Sequence, residues 1–195
     1  MKTFELVGTP RSEYGKKAAK SFRKENLVPC NLYGNGENVT FTVTVDDVRK
    51  LIYTPDTMAV ALTIGETKKM AVVKELQFHP VSEQLLHIDF LEVTEDKPVT
   101  VAIPVQLQGH AEGVKAGGKL ALEMKKLKVH GIYTQIPNRV EMDVTNLGLG
   151  KKLYVGEVKL EGLKLMNPAD SCVARVKATR ASQQAAAADA KGKKK

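Results

Sequence analysis

The chain has 195 residues, 43% of them hydrophobic and 27% charged, with 30 Lys+Arg against 22 Asp+Glu and a net charge of +8. That composition excludes a low-hydrophobicity disordered chain and leaves room for one large domain or two small ones, each with a core. The lack of Trp and the few Phe and Tyr argue against a platform that stacks many single-stranded bases.

Along the chain, "TFELVG" reads as an opening strand, followed by the loop "GTPRSEYG" and a helix from about Tyr14 to Glu25. "LVPCNLYG" is a strand ending in a glycine turn. "VTFTVTV" (39–45) alternates with period two, which predicts a strand with Val39, Phe41, Val43 and Val45 on one face and threonines on the other. "DDVRKLIY" follows as a short helix that Asp46 is placed to cap. "MAVALTIG" and "KKMAVVKELQFHP" are the next strands, and "LLHIDFLEV" pairs with the second across "PVSEQ".

The charged, proline-ended "TEDKP" (94–98) is the natural boundary, giving domains at 1–94 and 95–179. Beyond it, "VTVAIPVQLQG" is strand-like and "HAEGVKAGGK" is a glycine-rich loop. "LALEMKKLKVHGI" reads as one long strand, with further strands at "NRVEMDVTNL" and "SCVARVKA", and "GLGKKLYVGEVKL" as a turn plus a strand or short helix. The expected fold is mainly β: a β-rich first domain with two helices, then a nearly all-β second domain. Residues 180–195 form a low-complexity basic tail, expected to be disordered. Cys30 and Cys172 lie far apart without a Cys-x-x-Cys spacing and read as reduced thiols. With no apolar run of signal-peptide or membrane-spanning length, the expected location is cytoplasmic, with no membrane partner.

Charge is unevenly spread. Residues 1–95 hold 12 Lys+Arg against 13 Asp+Glu, residues 96–177 hold 13 against 8, and residues 178–195 hold 5 against 1. Within the near-neutral first part, Arg11, Lys16, Lys17, Lys20, Arg23 and Lys24 face Glu13 alone, a focused patch of the kind that meets a phosphate backbone. Lys16, Lys20 and Arg23 share one helix face, while Ala18, Ala19 and Phe22 lie opposite and can pack on a sheet. The plainer reading is a solvated basic face, but such a face usually carries i,i+4 acids, and this one does not.

In the 74–93 hairpin, Gln77 and His79 alternate with Leu76 and Phe78, and His87 and Asp89 alternate with Leu86, Ile88 and Phe90. The four polar residues can share one face, above an apolar face that packs inward. Amide, imidazole and carboxylate groups read base edges and 2′-hydroxyls, which cations alone do not; a merely solvated polar face remains the alternative. Two histidines and a carboxylate can also hold a metal, yet no tight ligand spacing or Cys pair supports one. No nucleophile signature accompanies His87 and Asp89, so an enzyme is not expected. "GVKAGGKL" (113–120) nearly matches a phosphate loop, but Leu120 stands where a hydroxyl is needed and a strand follows, not a helix.

"RSEYGKKAAKSFRKENLVPCNLYG" followed by "KELQFHPVSEQLLHIDFLEV" resembles the family of bacterial large-subunit ribosomal proteins that bind 5S rRNA. "IPVQLQGHAEGVKAGGKLALEMKKLKVHGIYTQIPNRVEMDV" is similar to the extra β domain of its long form, the general-stress-protein Ctc type. The resemblance covers about residues 3–177. It implies a closed, barrel-like N-terminal β domain with helices that docks on the loop E region of 5S rRNA. It further implies RNA contacts at Arg11, Gly15, Lys16, Lys20, Arg23, Asn26, Tyr33, Gln77, His79, His87 and Asp89, with no cofactor, metal or small-molecule substrate. Lys20 and Ser21 stand where the family often has an Arg pair, and Phe78 where it often has Arg; Ser21 and Phe78 are therefore given no role. The second domain would meet neighbouring rRNA or ribosomal proteins. Two rival functions are a free tRNA or anticodon-binding module and a stress-related protein adaptor built on the second domain.

Overall fold

Apolar residues at alternate positions in the first half of the chain produce six strands, each with one face to bury. They are β1 (Lys2–Pro10), β2 (Leu27–Gly34), β3 (Glu37–Thr44), β4 (Met58–Ile64), β5 (Thr67–Phe78) and β6 (Leu85–Glu92). Helices α1 (Lys16–Lys24) and α2 (Val45–Ile52) lie between them in sequence. This is a computed structural model, and it describes residues 1–158, 160 and 162–179; the expected disordered tail at 180–195 lies outside them. The strands close into a barrel in the order β1-β3-β2-β6-β5-β4, as the family resemblance implies. Two ladders in it are parallel, β1 with β4 and β2 with β6, and the others are antiparallel.

The barrel interior holds Leu6, Val28, Leu32, Phe41, Leu62, Ile88 and Phe90, each at most 2% exposed. The Phe41 and Phe90 rings sit 5.7 Å apart and tilted by 37°, within the range where aromatic pairs attract. Gly8 makes room for that pair: a Cβ there would fall on the Phe41 ring.

Local details depart from the period-two reading. β3 ends at Thr44, so Val45 starts α2, and Thr44 caps the helix in place of Asp46: its hydroxyl accepts from Asp47 N at 3.2 Å. Thr42 is only 6% exposed, and its hydroxyl donates to Thr9 O. Phe78 does not pack inward like Leu76; it is 40% exposed at the end of β5, where the ladder to β6 shifts register.

By its internal contacts the chain divides into two units. One comprises Met1–Val101 with His130–Asn138; the other comprises Ala102–Val129 and the described residues from Arg139 onward. In the first unit, Asn138 accepts from Lys2 N through Oδ1 at 2.7 Å and from Thr57 N through its carbonyl at 3.2 Å.

The remaining elements are β7 (Val99–Gln108), α3 (Glu112–Lys115), β8 (Lys119–Leu122), β9 (Lys126–Gly131), β10 (Val140–Asp143), β11 (Lys152–Tyr154), β12 (Lys164–Leu165) and β13 (Cys172–Lys177). They form one sheet ordered β10-β7-β9-β12 and another ordered β11-β13-β8. The long strand expected over 120–132 is therefore two strands. Glu123 N and Met124 N both donate to Val173 O, whereas Lys125 O accepts from Val105 N, so the chain leaves one sheet and joins the other there. The "HAEGVKAGGK" loop contains the single turn α3, and β12 had no sequence signal.

Replacing Gly8 with Ala should lower unfolding free energy by about 1–3 kcal/mol, because the added methyl must displace a ring in a closed core. Chemical denaturation of the two proteins measures the difference.

Candidate nucleic-acid interface

Barrel closure brings the polar positions of three strands into neighbouring rows. Asn31 of β2 is the register partner of Asp89 in β6, and Asp89 is the partner of Glu75 in β5. His87 is paired with Gln77, and Tyr33 is beside Leu91. Because alternate residues share a face, Asn31, Tyr33, His87, Asp89, Glu75 and Gln77 form one outward polar surface. Its apolar underside is Cys30, Leu32, Ile88 and Phe90, all 0–1% exposed.

At the edge of this surface, Arg11 binds back onto it. Its Nη2 donates to Asn31 Oδ1 at 3.3 Å, and its guanidinium lies 5.5 Å from the Tyr14 ring centre. Arg11 Nε is buried with no partner. A buried donor left open calls for an acceptor from solvent or from a ligand.

Helix α1 buries no residue completely; Ala18, Ala19 and Phe22 are half-buried, while Lys16, Lys17, Lys20 and Lys24 are exposed. Arg23 differs from the lysines with which the sequence groups it. Its Nε and Nη2 donate to Leu86 O at 3.1 and 3.0 Å, and Gln84 Nε2 donates to Arg23 O at 3.5 Å. At about 100° per residue, Arg23 falls between Ala19 and Lys16 on the helix, at the border of the packed stripe. Arg23 is therefore a tie between α1 and β6, and the lysines carry the open charge.

The helix starts at Gly15, whose φ of 95° with ψ of −179° suits glycine, and no side chain caps the first turn. Its free backbone N–H groups add positive potential beside Lys16 and Lys17. Asn26 holds a left-handed turn (φ 59°) after the helix, and its carbonyl accepts from Val45 N at 3.0 Å. The sequence also gives no role to Asn31, although it sits two residues before Tyr33 and so shares its face.

His79 is not in the strand row. It lies in the turn joining β5 to β6, where Nδ1 accepts from Val81 N and Ser82 N at 3.3 and 3.1 Å, leaving Nε2 outward. His87 Nδ1 stands 3.3 Å from Asp89 Oδ1. Burial lowers the His87 pKa from 6.5; Asp89 opposes this, and the Arg11 and Arg23 charges add to it. His87 is then a neutral ring at pH 7, able to donate and accept. Burial, reinforced by Asp89 and Glu75, raises the Tyr33 pKa, so its phenol keeps its proton. Among the described residues no His, Cys, Asp and Glu cluster could hold a metal.

Two outcomes follow. NMR titration of the His87 ring should give a midpoint below 6.5. Because the unfolded ring protonates first, the stability His87 contributes is full above 6.5 and is lost as pH falls from there through the lower folded midpoint. Replacing Arg23 with Ala should cost about 1.5–3 kcal/mol of stability, the range for hydrogen bonds from a charged donor. Lys20→Ala should leave the melting temperature within error.

Residues 6–90 match the Ribosomal L25p family, and residues 98–180 match the C-terminal domain of ribosomal protein TL5. Among curated relatives, the large ribosomal subunit protein bL25 of Porphyromonas gingivalis is 56% identical over 188 residues, covering 95% of this chain and 98% of its own. The bL25 of Parabacteroides distasonis is 54% identical over 193 residues, covering 96% and 99%. That of Bacteroides thetaiotaomicron is 48% identical over 196 residues, covering 98% and 100%. The chain therefore belongs to the bacterial ribosomal L25p family in its long, two-domain form, a family of ribosomal proteins and not of enzymes.

Proposed function

We propose that this chain is a structural component of the large ribosomal subunit, working in the cytoplasm, and that residues 1–94 bind 5S rRNA at its loop E region. The observation that carries this reading is the junction of α1 with the β5–β6 hairpin. Arg23 holds a lysine-rich helix against the strand that bears His87 and Asp89, so open cations flank a row of neutral and acidic hydrogen-bonding groups. Lys16, Lys17, Lys20 and Lys24 would neutralise phosphates and set register. His87, Gln77, Asn31 and Asp89 would meet base edges and 2′-hydroxyls in a shallow minor groove. Arg11, whose Nη2 holds Asn31, stands between the two kinds of contact. Gly15 and Asn26 would contribute through the backbone they shape at the ends of α1, and Tyr33 and His79 through a phenol and an imidazole nitrogen left outward. No cofactor, metal or small molecule enters the reading.

The test is a titration of the full chain with 5S rRNA, an isolated loop E fragment and a tRNA at several salt concentrations. Tight binding that depends on loop E supports the reading, and preference for tRNA would replace it with the anticodon-type module. Lys16→Ala should make log K against log salt shallower by about 0.7–0.9. His87→Ala should weaken loop E binding by about 1–3 kcal/mol, the range for a lost base-edge contact, with the slope unchanged because the ring is neutral.

A further inference from the structure

The β11-β13-β8 sheet of the second unit carries an arrangement that a sheet avoids when it serves only itself. Lys152 of β11 stands directly across from Arg175 of β13, and Lys177 of β13 stands across from Lys119 of β8. Like charges at directly opposed positions weaken strand pairing. Arg175 and Lys177 are two residues apart, so all four cations occupy one face. The opposite face is spent on packing: Val176 is 1% exposed, with Leu120 and Leu153 against it. The cationic face is therefore the open one.

One acid moderates it. Glu123 Oε1 accepts from Arg175 Nε at 2.8 Å and lies 3.0 Å from Lys177 Nζ. The two cations hold the Glu123 carboxyl below the usual carboxylate range. Lys119 and Lys152 have no ion pair among the described residues, and both are exposed. Tyr154, the last residue of β11 and 37% exposed, sits where the ladder to β13 shifts register and adds an aromatic ring at that edge. Four cations spread over three strands, with a ring at one edge, match a line of phosphates with sugars and bases beside them.

We infer that the outward face of the β11-β13-β8 sheet, through Lys119, Lys152, Arg175, Lys177 and Tyr154, is a second RNA-backbone surface, separate from the barrel's. This rests on the ribosomal reading for where the chain meets RNA, but not on 5S rRNA being the partner of the barrel. The contact reads charge and shape and not sequence, because its unpaired groups are the Lys119 and Lys152 ammoniums, beside Arg175 and Lys177 held by Glu123, without the row of amides and imidazoles found on the barrel.

The experiment compares the full chain with its Lys119→Gln/Lys152→Gln double variant. The probes are a fully paired RNA duplex lacking any internal loop, the loop E fragment and a poly-glutamate peptide. For the duplex, the double variant should bind at least several-fold more weakly, with a salt slope shallower by about 1.4–1.8, as expected for two lost phosphate contacts. Its affinity for the loop E fragment relative to duplex should rise, since only the unselective surface is lost. Its melting temperature should equal or exceed that of the parent, since two opposed like-charge pairs are relieved. An unchanged duplex slope would overturn the inference. So would a fall in melting temperature, which would mean that the lysines serve the fold. Poly-glutamate binding that is tighter than duplex binding and lost in the double variant would also overturn it and assign the face to an acidic protein. Failure of the 5S rRNA reading is seen separately, as loss of loop E preference in the parent chain.

Discussion

The parallel pairing of β2 with β6 is the constraint on which the first unit depends. Parallel neighbours cannot be joined by a tight hairpin, so the chain between β2 and β6 travels through β3, α2, β4 and β5 before the two strands pair. Once formed, it sets Asn31 against Asp89 and Tyr33 beside Leu91. It also places the β2 side of the barrel, on which α1 packs, next to the hairpin that carries His87. A register slip of one residue would turn every one of these groups inward. The apolar underside of the same strands, Cys30, Leu32, Ile88 and Phe90, opposes such a slip. Core and polar surface are thus two faces of one register.

Within that frame the cations divide their work. A nine-residue helix with no fully buried side chain is marginal by itself, and α1 keeps its place through Arg23 and the half-buried Ala18, Ala19 and Phe22. One guanidinium is committed to a backbone carbonyl so that four lysines can stay open. Arg11 is intermediate: it holds Asn31 with one nitrogen and keeps another without a partner. The same contrast separates the two surfaces. The barrel mixes charge with neutral hydrogen-bonding groups, the combination on which the proposed loop E contact rests. The β11-β13-β8 face offers four cations and one ring without such groups among them.

Much of this was legible in the sequence. All six barrel strands and the two helices between them follow from period-two and period-3.6 patterns, because each element there has one apolar and one polar side. The polar alternation in "KELQFHP" and "LLHIDFLEV" is a property of the chain alone, and so is the lysine-rich stripe beginning at Lys16. The second unit was harder to read: "LALEMKKLKVHGI" is continuous in pattern, yet its two ends pair with different sheets, and strand propensity carries no record of the partner. The two residues of β12 are too short to leave a pattern at all.

Tertiary structure decided which polar residues meet. Asn31 has no motif of its own and enters the surface only because β2 lies beside β6. Arg23 shares a stripe with Lys16 and Lys20, but it sits at the edge of the packed face, where contact with Leu86 settles its role. Thr44 caps α2 because β3 stops one residue earlier than its alternation suggests. His79 continues the alternation of β5 in sequence, but the strand ends at Phe78 and the turn captures its Nδ1. Sequence determines which side chains have a face to bury and which carry charge, since those are properties of the residues and their spacing. Which of them become neighbours depends on strand pairing between distant segments, and that is settled only when the barrel closes.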